Sequence, residues 1–282
     1  TVTGVQTCAL PIYRDISYLG GVGIFAGFLL ASLLSVQGYL NPEFQYFFAA
    51  AIVIFFLGLK DDITDLSATK KIIGQIIAAS ILIHLGGIRL DSMHGFLGFN
   101  ELPEAFGLAL SYFTIIVVIN SFNLIDGVDG LAASLGVLTM TVFGIYFFVI
   151  DYQAYALFAF SLAGSLAAFL IFNHHPAKIF MGDSGSLMIG LVNAILVIKF
   201  INVCDRPSVV VHVTSGVAIG FSILIVPLLD TLRVFSIRIL NGRSPFTPDR
   251  NHVHHLLLDK GDRKSTRLNS SHSSVSRMPS SA

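Results

Sequence analysis

Long uninterrupted apolar runs dominate this sequence and constrain its fold more than any other feature. Each run is close to the ~20 residues that a helix needs to cross the hydrocarbon core of a membrane. A soluble domain is about 25% charged, whereas this chain of 282 residues is 12% charged and 54% hydrophobic. We therefore predict an all-α, polytopic transmembrane helix bundle with about eight spans. The predicted spans are 18–40, 43–59, 72–90, 104–120, 131–150, 153–172, 186–203 and 213–232.

The two ends of the chain differ from this apolar middle. Residues 1–14 have neither the charged start nor the long apolar run of a signal peptide, and residues 263–282 are rich in Ser and poor in apolar side chains. We interpret both as foreign or unstructured tails, with a natural disordered tail as the alternative for the second. A single membrane-embedded domain is predicted for residues 15–262.

Basic residues are unevenly divided between the loops that connect the predicted spans. Most Lys and Arg residues lie in alternate loops, 60–71, 121–130, 173–185 and 233–262. The positive-inside rule assigns this set to the cytoplasmic side. Because the same loops also hold the clustered Asp, Asn and His residues, we predict one polar site at the cytoplasmic end of the bundle. A net charge of zero gives no basic field for nucleic acid.

Two motifs in these loops carry carboxylates suited to a metal or a phosphate. Asp61 and Asp62 end a predicted span, where they fit either interfacial solvation beside lysines or a Mg²⁺ site or base. In NSFNLIDGVDGLA, the residues Asn123, Asp126 and Asp129 recur every three positions and would share a helical face. The alternative for this second motif is an Asx-rich turn between helices.

Two further motifs add phosphate-binding chemistry. Asp183, within FMGDSGS, stands between glycines just before an apolar span, where a helix N-terminus binds phosphate or where the Asp is a simple N-cap. The sequence PDRNHVHH then supplies Arg250, His252, His254 and His255, which suit a diphosphate. Zinc is the alternative for these histidines, although no Cys or fourth ligand is evident. Phosphoryl transfer, which depends on positioning, Mg²⁺ and cations, fits the whole set.

Taken in order, these motifs resemble the polyprenyl-phosphate N-acetylhexosamine-1-phosphate transferase family. The resemblance covers about residues 16–261, and the histidine loop is more similar to the branch that uses UDP-GlcNAc and undecaprenyl phosphate than to the phospho-MurNAc-pentapeptide branch. It implies an enzyme that moves a sugar 1-phosphate, with GlcNAc-1-phosphate favoured, from a UDP-N-acetylhexosamine to a polyprenyl phosphate. This reaction is the first lipid-linked step of cell-envelope polysaccharides such as lipopolysaccharide, O-antigen or teichoic acid. The implied location is the inner (cytoplasmic) cell membrane.

The resemblance also implies a role for each matching residue. Asn123 and Asp183 would hold Mg²⁺, for which Mn²⁺ would be a possible substitute. Phe180 would stack on uracil near Asn173. The implied catalytic residues are Asp61, Asp62, Asp126 and His252. The implied substrate-binding residues are Asp129, Asn173, Phe180, Arg250, His254 and His255, and the implied supports of the histidine loop are Asp230 and Arg233.

The resemblance leaves several expectations open. Members of the family begin with a further helix or two and end with another, so we expect ten or eleven spans in the natural protein. A homodimer is a possible assembly, alongside membrane lipid as a partner. The alternatives are a phospho-MurNAc-pentapeptide transferase and, in a different class, a membrane transporter, because acids within membranes are common there.

Overall fold

The protein is an all-α bundle, as predicted from the apolar runs. A computed structural model describes residues 17, 19–36, 41–206 and 209–240. Apart from two isolated bridges, these residues form no β-structure. The α-helices are α1 (Gly20–Ser35), α2 (Phe44–Thr64), α3 (Ala68–Ser80), α4 (Glu104–Ile125), α5 (Leu131–Val149), α6 (Gln153–Asn173), α7 (Gly182–Val203), α8 (Gly216–Ile223) and α9 (Ile225–Leu240).

The chain is a multi-pass membrane protein, although fewer helices qualify as spans than the sequence predicted. In the described residues, five are long and apolar enough to cross a membrane, or six if α8 and α9 are one span. These two helices meet at an angle of 80°, which breaks the predicted span 213–232. Helix α1 has 16 residues, fewer than the predicted span 18–40 requires. Helix α3 continues through a π-helical turn, Ile81–Leu85, and the two together are long enough to cross a membrane.

Helix α7 forms the centre of the bundle. In its most apolar 18-residue stretch, 89% of the residues are buried, against 28–44% in the other four candidate spans. Helices α1, α2 and α4 pack directly on α7. Small residues permit this close packing: a Cβ on Gly190 would lie 2.5 Å from the Cα of Ile119 on α4. Because α7 has neighbours on all sides, its first turn is enclosed by the ends of several other helices.

Large apolar side chains divide between an aromatic core and the outer surface. Phe28, Phe44 and Phe158 are fully buried, and the centroid of the Phe158 ring lies 5.1 Å from that of Phe28 and 5.3 Å from that of Phe44, both in edge-on contacts. On the outside, side chains such as Leu34 and Phe148 are 87% and 66% exposed. An exposed apolar surface of this extent is covered by lipid in a membrane protein.

The segment 91–103, at the end of the bundle opposite Asp183, forms a short hairpin. Ser92 and Glu101 make an antiparallel bridge, and the Met93 N–H donates to the Asn100 carbonyl over 2.7 Å. A 3-10 turn, Phe96–Gly98, closes the hairpin. The predicted tails, 1–14 and 263–282, lie outside the described residues, and the single domain 15–262 stays a prediction.

Candidate active site

The first turn of α7 lies against the last turn of α2, and two backbone groups bind one carboxylate there. The N–H groups of Asp183 and Ser184 donate to the Oδ1 and Oδ2 atoms of Asp62 over 2.6 and 3.1 Å. Gly58, one turn earlier on α2, allows this approach, because a Cβ there would lie 2.5 Å from the Cα of Ser184. Asp62 is thus held at the N-terminus of α7, where the helix dipole favours a negative charge.

A lysine joins the other carboxylate of the pair to Asp183. The ammonium group of Lys71, near the start of α3, forms an ion pair with Asp61 and donates to the Oδ2 atom of Asp183 over 2.8 Å. Asp61 also accepts a hydrogen bond from the Leu66 N–H at 2.6 Å. Asp61 is 7% exposed, so the carboxylate end of this ion pair is buried, whereas the Lys71 side chain is partly exposed.

The predicted metal residues, Asn123 and Asp183, lie in direct contact. Asn123 is in the last turn of α4, and its Nδ2 atom donates to the Oδ1 atom of Asp183 over 2.9 Å and to the Ser186 hydroxyl over 3.0 Å. Both oxygens of Asp183 therefore have partners, Asn123 on one side and Lys71 on the other. Four helices, α2, α3, α4 and α7, meet around this carboxylate.

Asp126 ends α4 beside this cluster, outside the candidate membrane spans. The pKa of Asp126 is raised to about 7, mainly by desolvation and to a smaller extent by repulsion from the carboxylates of Asp183 and Asp62. Burial likewise raises the pKa of Asp61, and the neighbouring Asp183 adds to the shift while Lys71 opposes it. Carboxylates that hold protons near neutral pH are typical of sites that bind cations or move protons.

Asp129 and Asn173 fix the loops beside the acidic cluster. Asn173 is 3% exposed; its Oδ1 atom accepts the Gly130 N–H and its Nδ2 atom donates to the Ile179 carbonyl, both over 2.9 Å. Asp129 accepts the Ala177 N–H over 3.2 Å and lies 3.0 Å from the Nδ1 atom of His175. These contacts join the α4–α5 loop to the α6–α7 loop, on which Phe180 lies half-buried.

Of the remaining predicted residues, some lie outside the described part of the chain and others lie on α9. The loop with Arg250, His252, His254 and His255 lies outside the described residues, so their roles stay predictions. Asp230, predicted to support that loop, is 4% exposed on α9, and α9 packs against α4.

Among the residues of the site, sequence reasoning did not identify Lys71, Gly58 or Ser186. In the sequence, Lys71 is one of several basic residues in the loop 60–71, and Gly58 lies within the apolar run 43–59. The spacing of Lys71, ten residues after Asp61 at the start of the next helix, is the signal that could have indicated a partner.

The carboxylate and amide oxygens around Asp183 are of the kind that bind a magnesium ion. The Lys71 ammonium group pairs with two carboxylates, Asp61 and Asp183, and those of Asp62 and Asp126 lie beside them, so the cluster can accommodate further positive charge. Among the described residues, no three His, Cys, Asp or Glu side chains converge tightly enough to hold a metal by themselves. Mg²⁺ suits such an open arrangement, because it binds one or two carboxylates and keeps water and phosphate oxygens as its other ligands.

A protein-family profile and several curated proteins match this chain. The profile described as Glycosyl transferase family 4 matches residues 44–201. A decaprenyl-phosphate N-acetylglucosaminephosphotransferase from Mycobacterium leprae is 33% identical over 284 residues, covering 91% of this chain and 71% of that protein.

Two bacterial relatives carry a related name. The undecaprenyl-phosphate alpha-N-acetylglucosaminyl 1-phosphate transferase of Yersinia pestis is 29% identical, over 89% of this chain and 69% of that protein. The protein of the same name from Escherichia coli K12 is 28% identical, over 87% of this chain and 66% of that protein. The family match spans more than half of the chain and includes every element that builds the acidic cluster. The chain therefore belongs to glycosyl transferase family 4, among the polyprenyl-phosphate N-acetylhexosamine-1-phosphate transferases.

Proposed function

We propose that this protein transfers GlcNAc-1-phosphate from UDP-GlcNAc to a polyprenyl phosphate. An oxygen of the lipid phosphate attacks the β-phosphorus of the UDP-sugar. The bond between that phosphorus and the bridging oxygen breaks, and UMP leaves with the electron pair. The products are UMP and a polyprenyl diphosphate that carries the sugar. The observation that carries the proposal is the contact of Asp183 with Asn123 and Lys71 in a chain of this family.

Asp183 and Asn123 are the residues we assign to the metal. When bound, Mg²⁺ would neutralise charge on the diphosphate and polarise it toward attack, and Mn²⁺ is a possible substitute. The carboxylate of Asp183 would stay bound on its other side to Lys71, so that lysine fixes its orientation. The Ser186 hydroxyl positions Asn123 in the same way.

Asp61 is the acid we assign to the lipid phosphate. It ends the apolar part of α2, where a polyprenyl phosphate would meet the protein at the membrane boundary. A carboxylate with a raised pKa can accept the proton of a monoanionic phosphate and so strengthen it as a nucleophile. Lys71, in contact with Asp61, provides a positive charge beside the incoming phosphate.

The loops beyond the cluster are assigned to the nucleotide. Phe180 would stack on uracil, with Asp126, Asp129 and Asn173 shaping the cleft beside it. The loop with Arg250, His252, His254 and His255 would approach the diphosphate. The excess of Lys and Arg at this end of the bundle supports a cytoplasmic site in the cell membrane.

Radiolabelled UDP-GlcNAc, polyprenyl phosphate and Mg²⁺ test the proposal in membranes that contain the protein. We expect UMP release together with a labelled lipid, and Asp183→Asn should lower the rate at least ~10²-fold, because a metal supplies several kcal/mol of transition-state stabilisation. Asp65→Asn, at an exposed acid on the end of α2, is the matched control.

The same assay separates the alternatives. Transfer from UDP-MurNAc-pentapeptide and not from UDP-GlcNAc would show the other branch of the family. Uptake of label into sealed vesicles without UMP release would show a transporter. A normal rate and normal Mg²⁺ dependence in Asp183→Asn would contradict the assignment of the metal.

A further inference from the structure

We infer that Asp62 is a positioning residue: it fixes the first turn of α7, and through it the carboxylate of Asp183, rather than exchanging a proton with the lipid phosphate. The inference rests on the proposed function, because Asp183 is there assigned to the metal. It gives the two adjacent acids different tasks, with Asp61 facing the acceptor and Asp62 acting within the protein.

The contacts of Asp62 are those of a helix cap supplied by another helix. The first N–H groups of a helix lack intrahelical partners. The N-cap residue of α7, Met181, provides no side-chain hydrogen bond. Asp62, from α2, instead accepts from both Asp183 and Ser184, one with each carboxylate oxygen. A charged acceptor makes these bonds shorter and stronger than neutral ones.

Close backbone packing places the cap in its position. Gly58 lies one turn before Asp62, and a Cβ there would come within 2.6 Å of the Asp183 carbonyl and the Ser184 nitrogen. Such a distance is far below van der Waals contact, and backbone atoms cannot move aside as a side chain can. On the other side of α7, a Cβ on Gly21 would lie 2.4 Å from the Gly185 nitrogen. The first turn of α7 is therefore held between α1 and α2.

The cap determines where Asp183 points. The N–H of Asp183 binds Asp62, while its carboxylate binds Asn123 and Lys71. The backbone and the side chain of this one residue are therefore fixed by different helices. If the cap is lost, the first turn can fray, and the carboxylate leaves the position that the ligands of a metal require. Asp61 meets Asp183 through side chains, directly and by way of Lys71, whereas the hydrogen bonds to the backbone of α7 come from Asp62.

Asp62→Asn tests the inference because the amide keeps an acceptor oxygen but loses the charge and presents an NH₂ group to the second N–H. In the purified protein, we expect Mn²⁺ affinity, measured by EPR, to fall about tenfold, the effect expected from the loss of a helix cap. The Mg²⁺ concentration for half-maximal transfer should rise by a similar factor. At saturating Mg²⁺, kcat should fall less than about tenfold and its pH profile should keep the wild-type shape.

A proton-transferring Asp62 predicts different results. Removing a general base lowers the rate by about 10²–10⁴-fold at any metal concentration and changes the pH profile. That result, together with unchanged Mn²⁺ affinity in Asp62→Asn, would overturn the inference. Asp65→Asn is the control for the loss of one negative charge at the same end of α2.

Gly58→Ala provides an independent test without changing any charge. It should displace the first turn of α7 and lower Mn²⁺ affinity as Asp62→Asn does. In the double variant the two effects should not add, because both act through the same contact. Gly164→Ala is the matched control, since a Cβ there meets nothing within 4 Å. Full additivity, or wild-type Mn²⁺ affinity in a folded Gly58→Ala protein, would count against the inference.

The binding measurement separates this inference from the proposed function. If the protein transfers no sugar phosphate, Mn²⁺ binding still reports whether Asp62 positions Asp183, and then the function alone has failed. Asp183→Asn should remove the bound Mn²⁺. If the wild-type protein binds no Mn²⁺, or Asp183→Asn binds it as tightly, Asp62 has no ligand to position and the inference is wrong.

Discussion

At the scale of single residues, adjacent acids in this site have different surroundings. Asp61 contacts a lysine and a loop N–H, whereas its neighbour Asp62 contacts the start of another helix. Asp126 ends α4 near several carboxylates without an ion pair given by the described residues. These differences in partners, more than the residue type, determine what each carboxylate can do.

The raised pKa of Asp126 predicts a pH-dependent loss of stability. An Asp whose pKa is about 7 in the fold and about 3.8 when unfolded loses stability as pH rises from 4 through 7. In EDTA, Asp126→Asn should therefore match the wild-type Tm at pH 4 and exceed it at pH 8. Each pKa unit corresponds to about 1.4 kcal/mol, and solvent screening reduces the gain to about 1–3 kcal/mol.

Thermal unfolding of the detergent-solubilised protein at several pH values measures this difference. Asp65→Asn, at an exposed position, controls for the loss of one charge. A Tm difference between Asp126→Asn and wild type that does not change with pH would contradict the prediction.

The second residue-scale prediction concerns Phe180. Its backbone is fixed by hydrogen bonds with Ser17 and Gly20, so replacing its ring leaves those bonds in place. Stacking of a base on an aromatic ring contributes about 1–3 kcal/mol. Phe180→Ala should therefore weaken UMP binding about 5- to 150-fold, measured by calorimetry. Phe172→Ala, at an aromatic side chain that is 50% exposed, should bind UMP as the wild type does; equal UMP affinity in both variants would argue for a lipid-facing role of Phe180.

At the scale of helices, the contact between α4 and α7 depends on a missing side chain. A Cβ on Gly190 would lie 2.5 Å from the Cα and 2.9 Å from the carbonyl oxygen of Ile119. Gly190→Ala should destabilise the bundle by about 1–3 kcal/mol, the usual cost of overpacking. We expect a Tm lower by about 2–10 °C. Gly164→Ala should keep or slightly raise the Tm, because Ala is the better helix former; equal Tm values for both variants would exclude a close contact at Gly190.

Helices could be predicted from the sequence where apolar runs end at polar loops. This holds for α4 to α7, whose predicted and observed ranges overlap throughout. The hydropathy pattern does not show the break in 213–232, because the apolar run continues across Leu224. Its local sign is Pro227, which is tolerated in the first turn of α9 but cannot continue a preceding helix. A hydropathy pattern indicates the length and polarity of a segment, but it does not indicate whether the helix axis changes direction within it.

At the scale of the whole molecule, the clustering of the polar loops 60–71, 121–130 and 173–185 at one end could be predicted, because alternate loops of a bundle lie on the same side. Which side chains contact one another within the cluster could not be predicted. Lys71 and Asp183 are 112 residues apart, and their contact depends on how α3 and α7 pack. The cap between Asp62 and α7 likewise follows from the Gly58 contact, which appears in sequence as an ordinary apolar stretch.

The proposed mechanism involves the whole molecule, because it requires both substrates to be bound in one site at the same time. Direct attack by the lipid phosphate predicts that UDP-GlcNAc alone releases no UMP and exchanges no labelled UMP. A two-step route through a carboxylate would permit that exchange without lipid. We expect no exchange in the wild-type protein, measured by chromatography of the nucleotides. Exchange that disappears in Asp61→Asn would establish the covalent route instead.

The central position of α7 has a consequence for how the protein is made. The helix that α1, α2 and α4 surround is synthesised after all three of them. Until it emerges from the ribosome, the earlier helices lack the partner that fills the space between them. Translation therefore passes through a partly assembled bundle in which the place of α7 is not yet filled by the chain. Chains stopped before Gly182 should accordingly be degraded rapidly in pulse–chase experiments, whereas chains stopped after Val203 should persist; equal lifetimes would show that the earlier helices close without α7.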